Sequence, residues 1–366
     1  MNILYISHLT TRKSEGPNNS VPAQVKAQSK YDRVFWWNLT EAVQSHWIET
    51  GLFHGIREYP NKKIKSLPAP FCKPDLVVFE GFYYLDDVFL SWECRKRRIP
   101  YVIVARGTFT WQGQAQKKLK KKIANFVAFK SMVTHAASIQ YLTKQEFLDS
   151  GEKWNRSYYI MPNGTYQQRN LSPKQAELCG KINGVCIGRF DPYQKGLDLL
   201  LEAVDQRKDA LRDKGITISL YGPERMTCRE DFGRQIVDRK LEDILIIKDG
   251  VFGEDKERVL READFFIMTS RYEGMPMSMI EAMSYGVPCL ATKGTNLSEE
   301  IESNKAGWSC ETSVKGIVSA FDALINDIGK FGEYGKNALA LSREYDWDEI
   351  GRRTHEEYQR IVAKTL

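Results

Sequence analysis

The chain lacks long apolar runs. None of its 366 residues lies in a stretch that approaches the ~20 apolar residues of a membrane-spanning helix. Residues 1–7 have no basic region and too short an apolar segment for a secretory signal peptide, and are typical of a buried first strand. We therefore expect a cytoplasmic protein, and a peripheral association with the inner face of the cell membrane stays open.

Paired cysteines are missing as well. Seven cysteines are scattered without a Cys-x-x-Cys pair, and the five histidines show no metal-ligand spacing. An odd, dispersed set argues against a disulfide framework and against a zinc site. We expect most of these cysteines to be small buried side chains, and we expect no bound metal.

Charge is only mildly unbalanced, with a net charge of +6 and a pI near 8.7. Much of the excess lies in one run, formed by Lys117, Lys118, Lys120, Lys121 and Lys122. Leu119, Ile123 and Phe126 fall at helical spacing, which predicts an amphipathic helix with a basic flank. Two interpretations stay open: a solvated helix face, or a surface for an anionic partner, best matched by a bilayer interface. Nucleic acid is disfavoured, because no aromatic-studded basic groove or known binding module accompanies the run.

Length and pattern indicate two domains. Short, nearly continuous apolar strands alternate with helices in both halves, which predicts α/β domains with parallel sheets covered on both faces. The turn signal Pro162-Asn163-Gly164 separates them. We predict an N-terminal domain at 1–164, a C-terminal domain at 165–345 that opens with a linker at 165–180, and a final helix within 346–366 that crosses the domain junction. Ligands are expected in a cleft where the carboxyl ends of the two sheets face each other.

The stretch SRYEGMPMSMIEAM, residues 270–283, follows a short apolar run and predicts a turn from a strand into a helix. Gly274 permits close backbone approach, and Pro276 suits the first helical position. The N-terminus of such a helix favours a phosphate, which Glu273 would repel. One ligand would suit all three positions if its sugar lay beside Glu273, its diphosphate at the helix N-terminus and its ribose beside Glu281. Taken singly, Glu273 also fits a dipole-stabilising acid and Glu281 a solvated helical residue.

A second loop strengthens the case for an anion. The stretch CIGRFDPYQKGLDLLLEAV, residues 186–204, again runs from strand to glycine-bearing loop to helix. Arg189 directly follows the strand, and Lys195 stands just before Gly196 and the helix. An arginine fork and a mobile lysine charge both suit phosphate oxygens. Either cation alone is ordinary for a loop, but two cations combined with two carboxylates across a parallel sheet are rare.

Together these motifs resemble the retaining GT-B glycosyltransferases of family 4. The resemblance rests on Gly188-Arg189-Phe190, Lys195-Gly196-Leu197 and the two glutamates Glu273 and Glu281 eight positions apart. It covers nearly the whole chain and implies two facing Rossmann-like domains, with a nucleotide-sugar donor held mainly by the C-terminal one. It also implies no cofactor and no metal requirement, since the nucleoside-diphosphate sugar is a substrate.

Carried over by position, the resemblance implies a role for each motif residue. Arg189 and Lys195 would bind the donor diphosphate and stabilise the leaving nucleoside diphosphate, while Glu273 would bind donor-sugar hydroxyls and Glu281 the ribose. The remaining donor-binding residues implied are Gly16, Gly188, Asp249, Val251, Gly274, Met275, Pro276, Met277 and Ser278. The implied reaction is retaining transfer to an acceptor hydroxyl by a front-face displacement, in which the leaving phosphate helps to deprotonate the acceptor.

One position departs from the family pattern, since Arg106-Gly107 stands where His-Gly is usual. That histidine approaches the donor sugar, so Arg106 is interpreted as its replacement or as a contact to a phosphate or to an acidic group on a sugar. The favoured function is transfer from a UDP-sugar to a saccharide, free or lipid-linked, in bacterial polysaccharide biosynthesis. A GT-B sugar-nucleotide epimerase is the alternative, and a non-catalytic polyanion-binding protein is a minor one.

Overall fold

The computed structural model describes residues 1–11, 16–115, 118–151, 154–167, 180–223 and 228–365. The chain divides into two compact units. The N-terminal unit comprises Met1–Gly164 and Trp347–Leu366, and the C-terminal unit comprises Thr165–Asp346. Most of the predicted linker, residues 168–179, lies outside the described part of the chain.

The N-terminal unit alternates strands and helices. In chain order its elements are β1 (Asn2–Ser7), α1 (Pro17–Gln28), β2 (Arg33–Asn38), α2 (Ser45–Ile48), β3 (Phe53–Gly55), β4 (Leu76–Glu80), α3 (Leu85–Lys96), β5 (Tyr101–Val104), α4 (Trp111–Ala115), α5 (Lys118–Ala124), α6 (Lys130–Thr134), β6 (Ser138–Tyr141), α7 (Lys144–Ser150) and β7 (Tyr158–Ile160). A π-helical turn, Asn125–Phe129, joins α5 to α6. The predicted amphipathic helix is therefore present in the described residues as three helical segments in succession.

The first sheet is parallel throughout, in the order β3-β2-β1-β4-β5-β6-β7. Its central strand β1 pairs Leu4 with Phe35 on one side and with Val77 on the other. All three side chains are buried, as expected for strands covered by helices on both faces. The order of strands reverses between β1 and β4, so the loops after these two strands meet at one edge of the sheet.

The C-terminal unit repeats this plan. Its elements are β8 (Ile182–Ile187), α8 (Leu197–Asp213), β9 (Ile216–Tyr221), α9 (Cys228–Asp238), β10 (Leu245–Lys248), α10 (Gly253–Glu262), β11 (Phe265–Met268), α11 (Met277–Ser284), β12 (Cys289–Thr292), α12 (Ser298–Ser303), β13 (Gly307–Cys310), α13 (Val314–Asn326) and α14 (Phe331–Ser342). The sheet is parallel in the order β10-β9-β8-β11-β12-β13. Leu197, Leu200 and Val204 recur at helical spacing on α8 and are buried, so this helix follows from its sequence pattern.

The last helix, α15 (Trp347–Thr365), belongs to the N-terminal unit. Its Tyr358 hydroxyl lies 3.2 Å from that of Tyr5 in β1, and both side chains are buried. His355 is paired with the buried Asp32 at 2.8 Å. The predicted tail helix thus starts at Trp347 and packs on the first sheet and on α1, where an added Cβ at Gly351 would lie 2.9 Å from the Ala27 carbonyl oxygen.

Across the described residues, no helix combines the length and apolar character needed to cross a bilayer. Within the same residues, no three histidine, cysteine or acidic side chains are grouped so that they could hold a metal ion.

Candidate functional site

Two neighbouring loops of the C-terminal unit contain most of the predicted donor-site residues. Residues 188–196 follow β8, and residues 269–276 follow β11. These strands are neighbours in the sheet, and the strand order reverses here because β9 lies on the other side of β8. In parallel α/β sheets, the crevice outside the carboxyl ends of the strands at such a reversal is the usual ligand site.

Direct hydrogen bonds hold the two loops together. The hydroxyl of Thr269 lies 3.0 Å from each of the carbonyl oxygens of Lys195 and Gly196. Arg271 donates to both carboxylate oxygens of Asp198 at 2.7 Å. Arg271 is thereby engaged in fixing the loops, and its place in the motif has a structural reason.

Two glycines allow the close approach. Gly196 has a φ of +60°, and a Cβ added there would lie 2.0 Å from the Thr269 carbonyl oxygen. At Gly188 an added Cβ would lie 3.2 Å from Cε of Lys195. The lysine side chain therefore runs across Gly188, while at Gly196 both the backbone conformation and the packing of the two loops require glycine.

A nearly buried ion pair lies at the junction of the loops. Nζ of Lys195 is 2.6 Å from a carboxylate oxygen of Glu273, and the two side chains are only 12% and 10% exposed. The Ser270 hydroxyl donates to the same carboxylate oxygen at 2.6 Å, and the Asn296 amide donates to the backbone carbonyl of Glu273. The structure thus brings together one predicted phosphate-binding cation and the predicted sugar-binding carboxylate.

Arg189 is held more loosely. Its guanidinium donates to the side-chain oxygen of Gln194 at 3.3 Å. Among the described residues no carboxylate forms a salt bridge with it, in contrast to Lys195. An uncompensated guanidinium at the carboxyl end of β8 is suited to a bidentate contact with phosphate oxygens.

Helix α11 begins beside these loops, one residue later than predicted. Pro276 is its N-cap residue and Met277 its first helical residue. The Ser278 hydroxyl donates to the carbonyl of Ile187 at 2.7 Å, and the Met277 N–H donates to the carbonyl of Met275 at 3.0 Å. These two donors are therefore used within the protein. At Gly274 an added Cβ would meet no atom within 4 Å, so the approach to the turn is open.

The remaining donor-site predictions have partners of their own. Glu281 forms an ion pair with Lys256 of α10, a residue that no motif singled out. Asp249 is almost fully exposed and lies 2.8 Å from Arg229, while Val251 packs partly buried against the core. A helical charge such as Lys256 carries no sequence signal of a site, because its proximity to Glu281 arises only when α10 and α11 pack on the same sheet.

Arg106 of the N-terminal unit is engaged by protein groups. Its Nε and Nη2 donate to Glu80 at 2.9 and 2.7 Å, and Nη2 also donates to Gln24 at 3.1 Å. Nη1 donates to Ser20 at 3.1 Å and to Asn163 at 3.4 Å. All five N–H groups of the guanidinium therefore have an acceptor within this unit. Burial raises the pKa of Glu80, although the charge of Arg106 opposes this shift.

Another buried pair of the N-terminal unit was not predicted. His8, directly after β1, lies 2.8 Å from a carboxylate oxygen of Asp87, and its ring stacks on Tyr84 with centroids 3.8 Å apart. Burial raises the pKa of Asp87, whose second oxygen has no hydrogen-bond partner. Gly16, the predicted phosphate-approaching residue, is the N-cap of α1, and residues 12–15 before it lie outside the described residues.

The predicted membrane-surface lysines differ in orientation. Lys120 and Lys122 are exposed. Lys121 instead turns inward, donating to the Gly113 carbonyl at 2.5 Å and lying 5.0 Å from the centre of the Tyr83 ring. Lys117 and the side chain of Lys118 lie outside the described residues.

The match to a known protein family lies within the C-terminal unit. Residues 181–327 match the family of glycosyl transferases group 1. The chain is 27% identical over 193 residues to the GPI3 subunit of phosphatidylinositol N-acetylglucosaminyltransferase from Saccharomyces cerevisiae (strain YJM789). The aligned residues make up 52% of this chain and 42% of that relative. To a human phosphatidylinositol N-acetylglucosaminyltransferase chain it is 23% identical over 234 residues, covering 63% of this chain and 47% of that one. The chain thus spans less than half the length of these relatives.

Solved structures extend the likeness to the whole chain. Anabaena HepE in complex with UDP is 16% identical and has a TM-score of 0.75, covering 98% of this chain and 100% of that one. Sucrose-phosphate synthase from Thermosynechococcus elongatus is 17% identical with a TM-score of 0.71, covering 99% of both chains. At this identity the likeness shows the fold, and the prediction of a GT-B fold is confirmed. Residues 181–327 carry the sequence pattern of the group 1 glycosyl transferases, and the chain has the GT-B glycosyltransferase fold.

Proposed function

We propose that the protein transfers a sugar from a UDP-sugar to an acceptor hydroxyl with retention of the anomeric configuration. The observation that carries this proposal is the Lys195–Glu273 pair, nearly buried between the loops that follow β8 and β11. The similar structure of HepE with UDP, and a further one with UDP-glucose, support a uridine nucleotide as the donor.

Arg189 and Lys195 are the proposed diphosphate ligands. Lys195 already has a carboxylate partner, so a bound diphosphate competes with Glu273 for its ammonium group. Once Lys195 turns to the phosphate, the oxygen of Glu273 that both groups share keeps the Ser270 hydroxyl and can accept from a donor-sugar hydroxyl in place of the ammonium group. The ion pair thus keeps both groups satisfied until the donor arrives.

The same two cations are expected to lower the activation barrier for sugar transfer. As the bond from the anomeric carbon to the phosphate breaks, negative charge grows on the leaving UDP. Fixed positive groups in a partly buried site stabilise that charge by about 3–4 kcal/mol each. We assign to Arg189 and Lys195 the charge neutralisation that a divalent metal supplies in other transferases, so transfer is expected to persist in EDTA.

A thermal-shift and activity series tests this proposal. UDP and UDP-glucose are expected to raise the melting temperature of the wild type in EDTA, and Arg189→Ala and Lys195→Ala to abolish the shift. Glu273→Gln is expected to keep the shift with UDP and to lose that with UDP-glucose together with turnover. Arg207→Ala is the matched control, because this arginine forms an exposed ion pair with Asp322.

Three results would count against this function. If neither UDP nor UDP-glucose raised the melting temperature of the wild type, the proposed donor site would be refuted. Turnover of the UDP-sugar to an isomer without an acceptor would indicate an epimerase. Inversion at the anomeric carbon of the product, read by NMR, would refute the retaining mechanism.

We further propose a lipid-linked saccharide acceptor at the cytoplasmic membrane face, in the assembly of a bacterial capsule, exopolysaccharide or O-antigen. Lys120 and Lys122 are exposed, and the apolar residues before and after them are exposed as well: Leu119, Ile123, Phe126 and Val127 at 72%, 58%, 88% and 74%. Basic and large apolar side chains together suit the interface of an anionic bilayer. The yeast and human relatives, named for phosphatidylinositol, support an acceptor of lipid character.

Vesicle binding tests the membrane part separately. The protein is expected to co-sediment with phosphatidylglycerol-containing vesicles at low salt and to be released as salt rises. Lys120→Glu/Lys122→Glu is expected to lose this binding, while the matched control Lys208→Glu on α8 keeps it. If the wild type did not bind anionic vesicles at low salt, the proposed membrane association would be refuted. The proposed donor site would not be affected by that result.

A further inference from the structure

Helix α3 is apolar on two opposite faces. Val88, Leu90 and Cys94 are buried against the sheet. Leu85, Phe89 and Trp92 are 65%, 60% and 43% exposed. Their spacings of four and three residues place these three side chains on one stripe of the helix, on the side away from the core.

Helix α3 departs from the usual pattern of a surface helix. Asp87 and Ser91 of α3 are buried, at 1% and 0% exposure, while the three large apolar side chains face solvent. A stripe of three large apolar side chains in solvent, on a helix that already buries one apolar face, is typical of an interaction surface. The stripe on α3 therefore calls for a partner outside the unit.

Helix α3 is a neighbour of the segment from α5 to α6, which carries the exposed apolar residues Leu119, Ile123, Phe126 and Val127. Arg95 of α3 donates to the Ser131 hydroxyl of α6 at 3.2 Å. Tyr83, just before α3, donates to Asn125 of the π-helical turn at 3.0 Å, and its ring lies 5.2 Å from that of Phe129. These contacts link α3 to that segment at both ends of α3, so the two are neighbours within the N-terminal unit.

The charge of this region is positive. Arg95, Lys96 and Arg98 are exposed at the end of α3, where a fourth cation, Arg97, pairs with Glu93. Asp86, at the other end of the helix, is paired with Lys62 at 2.7 Å. Asp86 and Glu93 are therefore paired, and the exposed charges without an ion pair at the end of α3 are basic.

We propose that the outer face of α3 (Leu85, Phe89 and Trp92) and the exposed apolar residues of α5 and the π-helical turn form one surface that enters an anionic phospholipid bilayer. The apolar side chains occupy the acyl boundary, and the lysines and arginines around them contact the phosphates. This inference deepens the membrane part of the proposed function and rests on it. It adds a second helix, which the lysine run did not indicate.

The surface leads toward the loop after β1. Tyr84, directly before the stripe, stacks on His8 at the carboxyl end of that strand. A bilayer that receives the outer face of α3 therefore lies next to the edge of the sheet at which α1 and Gly16 begin. A lipid-linked saccharide would reach that edge without leaving the membrane.

Flotation with vesicles tests the proposal. The wild type is expected to float with vesicles of phosphatidylcholine mixed with phosphatidylglycerol and to bind weakly to phosphatidylcholine alone. Phe89→Ser/Trp92→Ser is expected to weaken binding to the mixed vesicles by about tenfold or more, since two large apolar anchors are removed. Val237→Ser is the matched control, because Val237 is 57% exposed on α9 of the other unit, and it is expected to bind as the wild type does.

Two further readouts separate the possible outcomes. The double variant replaces exposed side chains, so its thermal midpoint and its shift with UDP are expected to equal those of the wild type. Wild-type flotation by the double variant would overturn the role of α3. The role of α3 would also be refuted if the double variant lost a dimer in sedimentation velocity while its flotation stayed unchanged. The stripe would then be shown to contact a second copy of the chain and not the bilayer. Absence of a UDP shift with normal flotation would refute the donor site and leave this surface standing.

Discussion

Replacing Arg106 by methionine removes the cation from a buried pair. The Arg106 side chain is 9% exposed and that of Glu80 is fully buried, so water cannot replace the lost partner of the carboxylate. Methionine keeps most of the apolar stem, and the change therefore tests the charge and the hydrogen bonds more than the packing.

The expected cost follows from these contacts. Breaking a buried ion pair by removing one member costs about 3–5 kcal/mol, because an uncompensated charge is left behind. Ser20, Gln24 and Asn163 also lose a donor, and each is buried. We expect Arg106→Met to lower the free energy of unfolding by about 3–5 kcal/mol at neutral pH. Arg106→Met/Glu80→Gln, which leaves no charge, is expected to recover most of that loss.

The pH dependence gives a second check. Burial already raises the pKa of Glu80, and loss of Arg106 raises it further. The folded variant therefore binds a proton at a higher pH than the unfolded chain does, and its stability increases as the pH falls toward the usual glutamate pKa. The difference between wild type and variant is expected to shrink from about pH 8 to about pH 5.

Urea unfolding followed by tryptophan fluorescence is a suitable assay. Seven of the eight tryptophans lie in the N-terminal unit, so the signal reports mainly on that unit. Arg352→Met is the matched control, because its pairs with Glu349 and Glu356 are exposed and are expected to contribute little to stability. A loss below about 1 kcal/mol for Arg106→Met, or a loss equal at both pH values, would refute the reasoning.

Three smaller predictions concern other buried groups. Gly196→Ala is expected to lower the stability of the C-terminal unit by more than about 2 kcal/mol and to abolish the UDP thermal shift, because the new Cβ would lie 2.0 Å from a carbonyl oxygen. Gly329→Ala is the control and should leave both properties unchanged, because a Cβ there would meet no atom within 4 Å. Tyr358→Phe leaves the buried Tyr5 hydroxyl without that partner and is expected to cost about 1–2 kcal/mol in urea unfolding, whereas an unchanged midpoint would contradict the bond. Asp87 has a pKa raised by burial, so the wild type gains stability relative to Asp87→Asn as the pH falls; a pH-independent difference in melting temperature would argue against this.

Much of the donor-side loop chemistry could be predicted from the sequence. Apolar runs mark β8 and β11, and the polar residues after them must lie at the carboxyl ends of parallel strands. That Lys195 and Glu273 touch could not be predicted in this way. They are 78 positions apart, and their contact depends on β8 and β11 being neighbours in the sheet.

Arg106 shows where a motif departure alone is insufficient. The sequence shows an arginine where the resemblance to the family 4 glycosyltransferases implies a histidine, and it leaves the contacts of this arginine open. The structure commits all five donors to Glu80, Gln24, Ser20 and Asn163, which come from three different parts of the chain. No local pattern specifies such a set, because a strand, a helix and a loop bring these acceptors together.

The sequence by itself determined the α/β class, the strand-loop-helix units, the motif residues and the basic amphipathic segment, because periodicity, turn chemistry and short motifs are local properties. Only the tertiary structure decided which charges meet and which faces stay exposed. Lys121 turned inward beside Tyr83, Lys256 came to Glu281, and the stripe of α3 was left in solvent. The physical reason is that a helix with two apolar faces has no preferred inner side until the sheet has packed against one of them.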